Sequence, residues 1–213
     1  AHQLKQPLNI LSLYCNDVSD SFFSNEINNK FIDDFSKNTK EQINFLSETI
    51  DDFRDFFNPN KQKVVFEIKS AIEKSLKFMG NQFEINRVKV NIEYKDEKVY
   101  GIEIELEQVI LNILNNSMDA FKERKIENKE INIKVLSKQS YTILIMEDNA
   151  GGVKEESLEK IFDPYYTTKS TGTGTGLYMV KLVIKNSFQG DLKINNSEKG
   201  LRYIMALPQK EES

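Results

Sequence analysis

The hydrophobic period of this chain changes at Asn58-Pro59, and that change constrains the fold more than any other feature. Upstream of it, Leu4, Leu8, Leu11, Cys15, Val18 and Phe22 recur at alternating spacings of 4 and 3, which places them on one seam of an amphipathic helix. A polar SNEINN stretch interrupts the pattern. Ile43, Leu46, Ile50, Phe53 and Phe57 then restore it, with a weaker extension back through Thr39, Ser36 and Ile32, until Asn58-Pro59 stops it. The expectation is a hairpin of two antiparallel helices. Two helices leave one side of such a seam in water, so the hairpin is expected to form a four-helix bundle by dimerising; the competing reading packs the stripe on the second domain of the same chain.

Beyond Pro59 the elements are mixed. KVVFEI reads as a strand, SAIEKSLKFMG as a helix closed by Gly80, and VKVNIEY as an alternating strand. A long helix runs from about Glu103 to Arg124, followed by INIKVLS and YTILIME, which are rich in β-branched residues and are expected to pair as a hairpin. Residues 148–176 are glycine-rich. The chain closes with the helix GLYMVKLVIKNS and the strands DLKIN and RYIMALP. The fold class is therefore a helical hairpin, residues 1–59, followed by an α+β sandwich, residues 60–213, with a mixed sheet and helices packed on one face.

Composition narrows the partners. A length of 213 residues, 39% hydrophobic and 29% charged, suits a globular chain with a real core, and a net charge of −4 carries no footprint of nucleic acid. The single cysteine, Cys15, has no internal disulfide partner; its place on the apolar face makes it a small hydrophobe and fits a reducing, cytoplasmic compartment. No stretch approaches the roughly 20 apolar residues of a membrane span, and no signal peptide is visible. The chain does not start with Met and is expected to be a fragment, so any membrane contact is left to an upstream segment.

Four stretches carry chemistry: NILNNSMDAF, DNAGGV, FDPYYTTK and GTGTGL. Asn112 and Asn116 are four apart on a helix and share a face, so their amide oxygens can converge. Neutral oxygens together with phosphate oxygens suit magnesium, which keeps few protein ligands and several waters; ordinary polar surface is the competing reading. Asp148 stands where YTILIME runs out, with Asn149, Gly151 and Gly152 beyond it and alanine at position 150. A carboxylate there can accept a hydrogen bond from an amine on a planar base, although DNAGG also reads as a turn. In GTGTGL, which includes Thr175 and Leu177, Gly172, Gly174 and Gly176 free backbone N–H groups at a helix start to cradle phosphate, and Lys169 upstream can add a positive charge. The spacing is not that of the dinucleotide fingerprint, and no βαβ unit surrounds it.

In this order and on these elements, the four stretches resemble the ATP-binding domain shared by sensor histidine kinases, DNA gyrase, the heat-shock chaperones and mismatch-repair ATPases. The resemblance covers about residues 60–208, ending in G-x-x-Y-x-x-x-L-P from Gly200 to Pro208. It implies that Asp148 contacts the adenine amino group and that Asn116 and Asn112 hold Mg2+. It also implies that the loop from Asp148 to Gly176, with Gly151, Gly152 and Lys169, is the ATP lid. The hydrolytic branches carry a water-activating glutamate where this chain has Asn112, and FDPYYTTK resembles the phenylalanine box of histidine kinases.

AHQLKQPL likewise resembles the phosphoacceptor box of that family. If Leu4, Leu8 and Leu11 define the seam, His2 and Gln6 lie together on the outward face. The resemblance implies autophosphorylation of His2, transfer to an aspartate of a response-regulator receiver domain, a homodimer, and a water-orienting role for Gln6 in phosphatase action. It also implies the cytoplasmic part of a sensor. Two positions depart from the family pattern: Gln3 replaces the usual acid beside the histidine, and the family's threonine near the last strand has no match around Leu201 and Arg202. Pro7 removes an N–H donor one turn after His2, so the helix is expected to loosen there. Two rival readings stay open: an ATP-binding pseudokinase without phosphotransfer, motivated by those departures, and a chaperone- or topoisomerase-like ATPase, which the asparagine at 112 disfavours.

Overall fold

The computed structural model describes residues 2–24, 27–40, 43, 62–167 and 174–211, with side chains of the first helix from residue 10 onward. It divides into two compact units, Ala1–Lys61 and Gln62–Ser213.

In the first unit, helix α1 spans His2–Phe23. It ends where Ser24 turns back, both its N–H and its Oγ donating to the Asp20 carbonyl at 3.0 Å. A second helix, α2, has 29–40 as its described residues, and Asn28 caps it: its Oδ1 accepts the Phe31 N–H at 3.0 Å. The described residues leave Leu13, Phe22, Phe23, Ile32 and Ile43 exposed, Phe23 to 84%. Cys15, expected on the apolar seam as a small hydrophobe, is exposed as well. The seam expected over Leu46, Ile50, Phe53 and Phe57 lies outside the described residues.

The second unit begins with β1 (Val64–Glu67), which runs straight into α3 (Ile68–Asn86). Then come β2 (Val88–Glu93), β3 (Lys98–Gly101), α4 (Glu103–Glu123), β4 (Lys129–Lys138) and β5 (Tyr141–Asp148). A single turn, α5 (Glu155–Leu158), precedes α6 (Gly176–Leu182), whose continuation Val183–Ser187 widens into a π-helical turn before β6 (Asp191–Asn196) and β7 (Leu201–Pro208). The main sheet has the order β2-β4-β5-β7-β6. β2 runs parallel to β4 and every other pair is antiparallel, with Val88 opposite Lys129, Asn132 opposite Glu147 and Glu147 opposite Arg202. A parallel neighbour requires a long crossover, which α4 supplies. β1 and β3 form a separate two-stranded ladder; β3, KVYG, had no counterpart among the expected strands because, unlike VVFE, it pairs two strand-favouring residues with a lysine and a glycine, which strands disfavour.

Alternation along β5 and β7 sends Leu144, Met146, Tyr203 and Met205 inward and Ile145, Glu147, Arg202 and Ile204 to the open face. The inward face joins the stripes of α3 (Ile68, Ala71, Ile72, Met79, Phe83) and α4 (Leu106, Val109, Ile110, Ile113, Leu114, Phe121). The sandwich is thus a mixed sheet with helices on one face.

Gly80 does not close α3, contrary to the sequence expectation. The helix continues to Asn86 and stops at Arg87, whose φ of 55° is left-handed. A mid-helix glycine costs only about 1 kcal/mol against alanine, and burial of Met79 and Phe83 on either side outweighs it.

Candidate functional site

Asp148 ends β5, only 5% exposed, and its carboxylate is held from three sides. Oδ1 accepts the Ala150 N–H at 2.9 Å and the Leu201 N–H at 3.3 Å; Oδ2 accepts the Ser117 hydroxyl at 2.9 Å. The first of these is a local Asx turn that aims the chain away from the sheet. The second exists because β7 enters beside β5, and it requires glycine before Leu201: a Cβ on Gly200 would lie 1.9 Å from the Asp148 carbonyl oxygen. Tyr203, two residues further along β7 from Leu201, is fully buried. Desolvation, aided by the nearby Asp148 charge, raises its pKa well beyond the usual phenol range.

The loop after Asp148 is fastened on both sides. The Asn149 side chain accepts the Glu130 N–H at 2.9 Å and donates to the Asn128 carbonyl at 2.6 Å, tying the loop to the start of β4. Arg124, at the end of α4, donates to the Ala150 carbonyl. Gly151 donates its N–H to the Lys199 carbonyl at 2.8 Å, and Asn196 pairs with both the N–H and the C=O of Val153 at 2.9 and 2.7 Å. Gly151 and Gly152, at φ of 86° and 66°, serve this turn.

Asn112 and Asn116 stand half-buried on α4 and face the first residue of α6. A Cβ on Gly176 would sit 3.5 Å from Asn112 Oδ1 and 4.0 Å from Asn116 Nδ2, so the glycine leaves open a space lined by both amides. Ser117, the residue after Asn116, joins this pair to Asp148. Thr175 and Leu177 flank Gly176, both half-buried. Gly174 lies against the phenylalanine-box stretch: the Tyr165 N–H donates to its carbonyl at 3.0 Å, and a Cβ on Gly174 would fall 2.4 Å from the Tyr165 backbone. Tyr165 itself is left-handed at φ 70°. Phe162 lies under the Lys181 ammonium, 5.6 Å from ring centroid to Nζ, and Tyr166 donates its hydroxyl to Ser157 Oγ at 2.9 Å. FDPYY is therefore tied to both α5 and α6.

The structure brings the Asn112–Asn116 pair of α4 together with Asp148 and Gly176, which come from distant stretches of the sequence. Lys169 and Gly172 lie outside the described residues, as do the side chains of His2, Gln3 and Gln6, whose backbone belongs to α1. Ser117, Asn196 and the anchoring role of Arg124 escaped the sequence reading, which named Asn149 only as the neighbour of Asp148. For Ser117 a signal existed: it occupies a core position of the α4 stripe between Ile113 and Phe121, where a hydroxyl needs a partner.

Amides facing a glycine-opened helix start, one residue from a carboxylate held at a strand end, define a site of the nucleotide-binding class. The model of the histidine kinase-, DNA gyrase B- and HSP90-like ATPases matches residues 101–211, and the chain belongs to that family of ATP-binding domains. It is 26% identical to sporulation kinase B of Bacillus subtilis over 98% of this chain and 48% of that protein. It is 25% identical to the two-component sensor PprA of Pseudomonas aeruginosa over 98% of this chain and 23% of that protein. The chain thus spans less than half the length of these curated relatives. Among solved structures, histidine kinase ThkA in complex with response regulator protein TrrA matches 99% of this chain and 60% of its own with a TM-score of 0.68 at 19% identity, a likeness of fold.

Proposed function

We propose that this chain is the catalytic core of a homodimeric sensor histidine kinase: it phosphorylates His2 from ATP and passes the phosphoryl group to an aspartate of a response-regulator receiver domain. The observation that carries the ATP half is the convergence of Asn112, Asn116 and Gly176 beside a carboxylate already held by three donors. Asp148 would accept the adenine 6-amino hydrogen bond, and the opening of α6 would receive phosphate. Among the described residues no group of three or more His, Cys, Asp or Glu gathers as a metal site. The neutral amides of Asn112 and Asn116 do fit magnesium, which takes oxygen ligands shared with phosphates, and bound there it would neutralise phosphate charge.

Chemistry then falls to His2. A neutral imidazole nitrogen attacks the γ-phosphorus, the bond to the β-phosphate oxygen breaks, ADP leaves, and the ring proton passes to water, since Gln3 is no base. Gln6 is suited to orient a water that attacks the phosphorus of the phosphorylated regulator, breaking its bond to the aspartate oxygen and releasing inorganic phosphate. Support for the acceptor comes from ThkA, solved in complex with response regulator protein TrrA, and support for the kinase reading from the similarity of nearly the whole chain to sporulation kinase B. No described helix is long and apolar enough to cross a membrane. The single cysteine suits a reducing compartment, and we place the chain on the cytoplasmic side on that ground.

Labelled ATP tests the proposal. Acid-labile, alkali-stable label on the protein, lost in His2→Ala and in Asp148→Asn, is the expected result. Nucleotide binding with no phosphoprotein would instead make the chain a pseudokinase.

A further inference from the structure

We propose that Ser117 is a positioning residue that sets the purine preference of this site, by fixing which oxygen of Asp148 is left to receive the base. The inference rests on the reading of Asp148 as the adenine acceptor given above. A carboxylate has about four lone-pair positions. Oδ1 spends both of its own on the backbone N–H groups of Ala150 and Leu201, at 2.9 and 3.3 Å. Oδ2 receives the Ser117 hydroxyl at 2.9 Å, which leaves one position, on Oδ2, for a ligand. The hydrogen-bond pattern of the protein thus selects the oxygen that meets the nucleotide, and Ser117 holds that same oxygen.

The hydroxyl has one hydrogen and two acceptors within reach: Asp148 Oδ2, and the Ile113 carbonyl one helical turn back at 3.2 Å. The carboxylate is nearer and charged, so it takes the hydrogen. Both partners are buried, Ser117 at 3% exposure and Asp148 at 5%, so loss of the bond leaves a buried carboxylate oxygen short of a donor. Without it, Oδ2 has a second free lone pair and the carboxylate is restrained on one side only. The remaining acceptor is then no longer aimed at a single donor, and discrimination for a 6-amino over a 6-oxo purine weakens. A serine that served only the helix, by bonding back to Ile113, would affect every nucleotide alike.

The test compares binding of ATP and inosine triphosphate to the full chain, by titration calorimetry, in wild type, Ser117→Ala, Ser117→Thr and Asp148→Asn. The wild type is expected to prefer ATP, and Ser117→Ala to narrow the ATP-to-ITP affinity ratio about tenfold, chiefly by weakening ATP, with Ser117→Thr restoring the ratio. Because the ratio is independent of the fraction of active protein, it decides even if a variant is less stable. A ratio unchanged in Ser117→Ala, or equal weakening of both nucleotides, overturns the role of Ser117 while the Asp148 reading stands, provided Asp148→Asn still abolishes the preference. A wild type that binds the two nucleotides alike overturns the Asp148 reading and this inference together.

Discussion

At the scale of single residues, the site is built from donors aimed at one carboxylate, and most of them are backbone groups that sequence alone does not place. Asp148 and the two asparagines stand out by motif, whereas Leu201 contributes only its N–H, brought into range by strand pairing. Tyr203 shows what that arrangement costs. Its hydroxyl is buried against the Asp148 charge, so its folded pKa lies above the unfolded value near 10. Folding therefore favours the protonated phenol: that stability is fully present below about pH 10 and falls as pH rises above it. Tyr203→Phe should flatten the alkaline limb of a plot of melting temperature against pH and leave the neutral region little changed. An alkaline limb as steep as in wild type would remove Tyr203 as its cause.

At the scale of elements, α3 and the Tyr165–Gly174 contact show how differently glycine behaves by context. Gly80 sits in mid-helix with nothing within 4 Å of a notional Cβ. Gly80→Ala is therefore expected to stabilise the second unit by about 0.5–1 kcal/mol, read as a higher urea midpoint at unchanged slope. Gly174 has a φ of 66° and meets the Tyr165 backbone, so no such freedom exists there. Reading Gly80 as a stop was reasonable by propensity and failed because packing decided: Met79 and Phe83 are both buried, and the helix follows them through the glycine. The π-helical turn at Val183–Ser187 was likewise illegible, since GLYMVKLVIKNS has an ordinary helical pattern and only the packed structure shows the widened turn.

At the scale of the whole molecule, the two units pose different problems of burial. The second closes its own core, with the helical layer sealing the inward face of the sheet. The first leaves Leu13, Phe22, Phe23, Ile32 and Ile43 in water, an arrangement suited to a second copy. The full chain is expected to sediment as a dimer at micromolar concentration, and a 62–213 fragment as a monomer that still binds ATP. A monomeric full chain would refute the dimerising role of the hairpin.

Period and motif were enough to determine the mixed α/β character of residues 62–213, the β4–β5 hairpin, and Asn112, Asn116, Asp148 and the GTGTGL glycines as candidates, because these depend on neighbours a few residues apart. Which groups meet was decided only in three dimensions. Ser117 reaches Asp148 across 31 positions, Leu201 across 53, and Asn196 reaches Val153 across 43. Such contacts depend on strand order and on close backbone approach, as where Gly200 lies against Asp148. Local pattern carries no record of strand order, so the residues that bear the chemistry were legible and those that aim them were not.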